Sequence, residues 1–279
     1  MDYFLKCAGK ALVHIFFMIP SSVPATDVET NGCGEFLASD MMKYVDDARV
    51  LGLGETMRFV ECYQGERRMS DKLELFAKKH IDGHAPGITG KAVQAYRLAG
   101  VENDHECANS EEVLDKLRAG FHIYIREGSG AKNLDTLIRT LLDANVALDQ
   151  CAFCTDDKHI EEIRKEGHIS TCIRKAIALG VPVAKAYKMG SYQAAEFYGL
   201  KNYGAIGAGY RADIVFLDDL EQVRPLDVMK DGRILTEEDY AKDYSVPVPD
   251  ELLHTVHVGE VTKDKIRLSC DGKTDVIQM

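Results

Sequence analysis

The chain has 279 residues, 46% hydrophobic and 28% charged, long enough for one α/β barrel or about two smaller domains and ordinary for a globular protein. A net charge of -11 without any Lys/Arg-rich run argues against a nucleic-acid backbone or an anionic membrane as the main partner. Eight cysteines at irregular positions are not the dense framework of a small secreted domain, and no signal-peptide pattern precedes them, so they read as reduced thiols in a cytoplasmic protein.

Residues 1–10 read as the end of a helix. Residues 11–19 form an apolar run closed by Pro20, too short to span a bilayer and read as a buried strand. A helical pattern over 34–44 places Phe36, Leu37, Met41 and Tyr44 on one face, and Glu55 closes a strand at 50–54. A helix over about 71–79 leads into His80-Ile-Asp-Gly-His84, which Ala85-Pro-Gly87 stops, so His84 sits at a strand-to-loop boundary. Residues 91–98 are helical and end at Gly100, before the short strand that carries His105. Asn109 with Glu112 three residues on marks the next helix start, and Gly120 ends that helix.

The strand at 121–126 turns through Glu127-Gly-Ser-Gly130 into a helix with Leu134, Leu137, Ile138, Leu141 and Leu142 at helical spacing. A further strand at 150–154 ends at Thr155-Asp-Asp157. The pattern is therefore α/β, with about six strands ending near Pro20, Glu55, His84, His105, Arg126 and Asp156. A closed (β/α)8 barrel has eight strands, so two are expected to be absent from the front. Residues 167–199 read as helical with a break at Gly180-Val-Pro182, and residues 201–235 as a turn-rich stretch followed by short strands of a small β unit. The last forty or so residues are polar.

In such a barrel, residues at the C-terminal ends of successive strands converge on one mouth. Glu55, His84, His105 and the Asp156/Asp157 pair arrive there, and two imidazoles with carboxylates suit a hard divalent metal pair. Taken singly, each has a plainer reading: Glu55 as a solvated carboxylate, His84 as a satisfied histidine, Asp156 and Asp157 as helix N-caps. Gly52 and Gly54 beside Glu55 read as sites of close backbone approach. Asp104 and Glu106, flanking His105, are either orienters of that imidazole or surface charge. Arg126, Glu127 and Ser129 offer a cation, a carboxylate and a hydroxyl for a small polar ring, or else a salt-bridged turn. Cys151 and Cys154 lie three apart on a strand and face opposite ways, which disfavours a shared metal or redox role. The glycines at 204–209 follow no phosphate-loop pattern.

Several blocks together resemble the adenine deaminase family of the amidohydrolase superfamily. They are Pro20-Ser-Ser-Val-Pro-Ala-Thr26, Gly52-Leu-Gly-Glu55, Gly83-His-Ala-Pro-Gly87, Asp104-His-Glu106, Ile125-Arg-Glu-Gly-Ser129, Phe153-Cys-Thr-Asp-Asp157 and Gly209-Tyr-Arg-Ala-Asp213. The resemblance implies an amidohydrolase barrel, represented from about its third to its eighth strand over residues 1–198. Residues 199–236 would be part of a small β-sandwich, and 237–279 the start of a truncated C-terminal domain. It implies hydrolysis of adenine to hypoxanthine and ammonia, as in purine salvage or adenine catabolism, with a divalent pair such as Mn(II) or Fe(II). Glu55 resembles the bridging carboxylate, His84 and His105 the imidazole ligands, and Asp156 the last-strand aspartate, with either Asp156 or Asp157 on the metal. Glu55, Asp156 and Asp157 become the expected catalytic carboxylates, and Ser22, Arg126, Glu127 and Ser129 the expected adenine contacts. The His-x-His pair expected on the family's first strand occurs nowhere; His80/His84 and His254/His257 have the wrong spacing. An internal piece is therefore expected, either completed by another chain or a homo-oligomer, or else a non-catalytic remnant that binds metal, purine or a protein partner.

Overall fold

The apolar run at the start of the chain is longer than the strand it makes. In the computed structural model, which describes residues 1–27, 34–253, 255, 259–267, 269 and 272, α1 (Asp2–Lys10) precedes a stretch that leaves Val13 and Ile15 exposed. Only β1 (Phe17–Pro20) joins a sheet, beginning where the Phe17 N–H meets the Arg49 carbonyl at 2.8 Å. Residues 11–16 lie outside that ladder, so the expected strand at 11–19 is corrected to its last third: an apolar run becomes strand only where a partner backbone pairs with it.

The helix expected at 34–44 is likewise shorter. It is a single turn, α2 (Ala38–Met41), continued by a 3-10 turn at Met42–Tyr44, with Leu37 as an exposed N-cap rather than a core residue. Next come β2 (Val50–Thr56) and α3 (Phe59–Gln64), a short helix that the sequence pattern does not announce. Gly65 at φ +71° ends α3, and α4 (Arg67–Leu75) starts at once. That early start corrects the helix expected at 71–79, because residues 76–79 are needed for the turn into the next strand, closed by the Lys79 N–H on the Phe76 carbonyl at 2.8 Å.

The chain then alternates regularly through β3 (His80–Gly83), α5 (Lys91–Leu98), β4 (Asn103–Asp104), α6 (Ser110–Arg118), β5 (His122–Arg126), α7 (Leu134–Asp143) and β6 (Cys151–Cys154). As expected, α6 is capped by Asn109, whose side chain accepts the Glu112 N–H at 3.1 Å. β1, β2 and β3 form one parallel sheet and β4, β5 and β6 another, each in chain order. The Glu102 N–H donates to the Ile81 carbonyl at 3.0 Å and links the two. Close strand packing requires glycine at position 52, where a Cβ would stand 1.9 Å from the His80 carbonyl oxygen.

Alternation along these strands divides the side chains. Leu53, Ile81, Ile123 and Ile125 join Val93, Tyr96, Leu137 and Leu141 in the buried core, each such aliphatic side chain stabilising the fold by roughly 1.5–3 kcal/mol. His80 and Asp82 on β3, Asn103 on β4, and His122, Tyr124 and Arg126 on β5 take the opposite face. Rings from the C-terminal helices cover part of it. After α8 (Ile160–Glu166), α9 (Ile169–Ala178) and α10 (Val183–Gly190), α11 (Tyr192–Phe197) brings the Phe197 ring to 4.5 Å from His122 and 5.0 Å from His80. Tyr198 stacks on Tyr124 with centroids 6.0 Å apart.

The remaining chain forms an antiparallel three-stranded sheet, β7 (Ile214–Leu217), β8 (Pro225–Lys230) and β9 (Arg233–Ile234), then α12 (Glu237–Ala241) and α13 (Asp250–Leu253). His254 and His257 lie outside the described residues. Among the described residues no helix is long and apolar enough to cross a membrane, and Cys7, Cys62, Cys107, Cys151, Cys154 and Cys172 are free. Burial pushes the Cys151 thiol up to about 12, which keeps it protonated and unreactive.

Candidate functional site

The ends of β2, β3 and β4 bring Glu55, His84 and His105 together. Glu55 Oε1 lies 3.7 Å from His105 Nε2, Glu55 Oε2 lies 4.0 Å from His84 Nδ1, and the two imidazole centroids are 5.2 Å apart. These separations are too long for hydrogen bonds, and both His84 Nδ1 and His105 Nε2 are buried without a hydrogen-bond partner. Ligand atoms of the three residues lie within 4.8 Å of one another, as donors around a common cation do. Two orphaned imidazole nitrogens facing a carboxylate fit a divalent metal ion.

The backbone around these side chains is held by polar contacts from below. Glu55 adopts φ +35° and Asp156 φ +53°, a region that non-glycine residues enter at a cost unless the surroundings impose it. At Glu55 the surroundings are visible: the Ser21 hydroxyl donates to the Glu55 carbonyl at 2.8 Å, and buried Lys72 donates to the Ser21 carbonyl at 2.6 Å. The Tyr96 hydroxyl donates to the Thr56 carbonyl at 2.9 Å and accepts the His84 N–H at 3.0 Å, tying the end of β2 to that of β3. Asp104 accepts the Ala85 N–H at 2.9 Å, the Glu106 N–H at 2.7 Å and the Lys116 ammonium at 3.0 Å. Asp104 therefore fixes the residues that follow His84 and His105.

Glu106 enters the centre itself, with Oε1 at 3.6 Å from His84 Nδ1 and 3.5 Å from His105 Nε2. Arg126 Nη1 bridges Glu106 and Asp156, meeting Asp156 Oδ2 at 2.9 Å. Burial works against the Asp156 carboxylate, but the Asp157 N–H and the Arg126 guanidinium hold its pKa below the usual value. Asp156 is thus ionised at neutral pH. A cavity of about 290 Å³ opens beside this centre, lined by Glu55, His105, Asp156, Asp82, Asn103, Tyr124, Phe153, Cys154 and Tyr198. Burial raises Asp82 to about 6, against hydrogen bonds from Asn103 and Tyr198 that favour its charged form.

The other expected site residues fall elsewhere. Glu127 pairs with Lys175 at 2.5 Å, and Ser129 is taken up by Glu162 and by the His159 N–H. The expectation that they line the mouth with Arg126 is corrected: Glu127 follows Arg126 on an extended chain and so takes the opposite face, and Ser129 has already turned toward α8. Ser22 is turned to the Ser21 hydroxyl at 2.9 Å and to the Glu55 backbone rather than into the cavity. Asp157 is exposed and meets the Ser129 N–H through its carbonyl at 2.8 Å, leaving Asp156 as the member of the pair that faces the cavity.

The sequence model of the amidohydrolase family matches residues 1–235. The chain belongs to that family. Curated relatives of this amidohydrolase include a protein named adenine deaminase from Desulfitobacterium hafniense (strain Y51), 41% identical over an alignment of 280 positions that covers all of this chain and 49% of the relative. A second so named, from Clostridium acetobutylicum, is 41% identical, covering 99% of this chain and 48% of its own length. The amidohydrolase chain thus spans about half the length of the curated relatives it matches. Among solved structures, a beta-aspartyl dipeptidase from Fervidobacterium islandicum AW-1 superposes with a TM-score of 0.55 at 16% identity, over 84% of this chain and 68% of that one. That likeness supports the (β/α)8-type α/β fold of the family.

Proposed function

We propose that this amidohydrolase chain carries the metal-binding side of an adenine deaminase active site, which converts adenine and water to hypoxanthine and ammonia. The observation that carries the reading is the pair of buried, unpartnered nitrogens on His84 and His105 facing the Glu55 carboxylate. The names of the relatives supply the substrate. In this reading the six parallel strands correspond to strands three to eight of the barrel. Residues 1–198 form the barrel part, 199–236 belong to a small β-sandwich, and 237–279 begin a further domain.

Glu55, His84 and His105 would hold one divalent ion, with Asp156 toward a second, and their nitrogen and carboxylate donors suit Mn(II) or Fe(II). Such an ion supplies Lewis acidity that makes water a nucleophile near neutral pH. Asp156, kept ionised by Arg126 and the Asp157 N–H, stands at the cavity wall as a proton acceptor. There it would take a proton from the attacking water and pass it to the leaving amino group, which departs as ammonia. Arg126 screens Asp156 from Glu106 and holds it in place.

A second reading is favoured by one feature of the site. Among the described residues, the two metal-capable groups at the strand ends, Glu55/His84/His105 and His105/Glu106/Asp156, share His105. One imidazole nitrogen cannot serve two ions. The chain by itself is then a one-metal protein without turnover, completed by a second chain or a homo-oligomer that brings more ligands. Isothermal titration of the purified chain with Mn(II) tests the common part: at least one ion per chain is expected, and its loss in His84→Ala and His105→Ala. Absence of binding in the folded wild type refutes both readings. Chromatographic assay of adenine conversion separates them.

A further inference from the structure

The cavity that His105 lines also holds a second set of polar groups, on Tyr124, Asp82, Asn103 and Tyr198. Tyr124 is only 8% exposed, lines the cavity, and has a buried hydroxyl that makes no well-formed hydrogen bond, its polar neighbour being the Tyr198 hydroxyl. A buried hydroxyl left unpaired costs roughly 1–3 kcal/mol, so a group of this kind is ordinarily met by water or a ligand. In the same lining Asp82 accepts the Tyr198 hydroxyl at 3.0–3.1 Å and the Asn103 amide. A carboxylate has about four acceptor positions, so Asp82 retains capacity for another donor. Phe153, Tyr124 and Tyr198 supply aromatic surface, and about 290 Å³ accommodates a small fused ring.

We infer that Tyr124 and Asp82 form a recognition subsite for a planar nitrogen heteroaromatic ring, with the Tyr124 hydroxyl donating to a ring nitrogen and Asp82 accepting a ring N–H. This deepens the proposed function by naming the residues that read the purine, and it rests on that reading for the ligand class. Tyr198 is the positioning residue: it holds Asp82 and closes the cavity, while Phe197 packs against His80 and His122 behind it. A ring bound there reaches toward Glu55 and His105, which line the same cavity.

The test is isothermal titration of the full chain with adenine, after chelator treatment and again with Mn(II). Metal-free wild type is expected to bind adenine. Tyr124→Phe, which removes only the hydroxyl, should weaken that binding roughly three- to tenfold, and Asp82→Asn should weaken it similarly. Near-ultraviolet circular dichroism establishes that both variants are folded. Unchanged adenine affinity in folded Tyr124→Phe and Asp82→Asn overturns the subsite, as does a folded metal-free wild type that binds no adenine. Failure of the metal centre has a different signature, namely no Mn(II) uptake with adenine binding still sensitive to Tyr124→Phe.

Discussion

Replacing Lys116 by Met tests whether the loops that carry His84 and His105, proposed above as metal ligands, are held from beneath by one buried ion pair. Lys116 and Asp104 both have fully buried side chains, 3.0 Å apart, and Lys116 also donates to the Ala85 carbonyl at 2.7 Å. Asp104 in turn accepts the Ala85 and Glu106 N–H groups. Removing the cation leaves a desolvated carboxylate, which costs about 3–5 kcal/mol, or roughly 8–15 °C in Tm for a domain of this size. Because Ala85 follows His84 and Glu106 follows His105, metal affinity should fall as well, by roughly 10- to 100-fold, the usual effect of losing a group that orients a ligand. Asp104→Leu combined with Lys116→Met removes both charges and should recover much of the stability but not the metal affinity. Thermal denaturation and Mn(II) titration of the three variants give the answer. A Lys116→Met protein that melts within about 2 °C of the wild type would show that the pair does not carry the loops.

Titration of the isolated chain with Mn(II) should saturate at no more than one ion, without multiple turnovers of adenine; two tightly held ions with steady hypoxanthine production would mean that ligands beyond the described groups complete the centre. In Arg126→Ala, Glu106 and Asp156 lose the guanidinium they share, so Mn(II) should bind several-fold tighter while adenine conversion in a complete relative weakens; unchanged Mn(II) affinity would remove Arg126 from the centre. Burial pushes Lys72 down to about 8 from an ordinary value near 10.5. Between those limits the unfolded chain binds more protons, so stability should rise with pH by about 3 kcal/mol across the window and level off above it, a slope that Lys72→Met should abolish in denaturant titrations.

The strand order was legible because several strands run into turn-forming residues. Pro20, Gly83 before Ala85-Pro-Gly87, and the turn at Thr155-Asp-Asp157 all mark real boundaries, and the helix at Lys91–Leu98 was read to the residue. The misread segments share a cause. Residues 11–16 and Leu37 are apolar, but no partner covers Val13, Ile15 or Leu37, and tertiary contact decides what an apolar run becomes. The turn of helix at Phe59–Gln64 has little periodicity of its own and is set by the end of β2 before it and Gly65 after it.

At the site, alternation along strands is the strongest signal in the sequence. His80, Asp82 and His84 share a face by spacing alone, which points to Asp82 as a cavity residue beside a ligand. The same rule separates Glu127 from Arg126. Glu106 escapes the rule: β4 ends at Asp104, and the turn after it brings Glu106 back toward both imidazoles. Tyr198 was not legible at all, since it arrives from a helix after the last parallel strand, and only packing shows that it reaches Asp82. The strained residues give the remaining link between sequence and chemistry. Glu55, the last residue but one of β2, and Asp156, two residues past the end of β6, both stand at positive φ, where the backbone leaves the extended path of the strand. At Glu55, the Ser21 hydroxyl bound to its carbonyl offsets part of that strain. The Ser-Ser pair at 21–22 thus shapes the backbone of a metal-capable residue, which is why the Ser22 hydroxyl, expected as an adenine contact, turns to that backbone instead of the cavity.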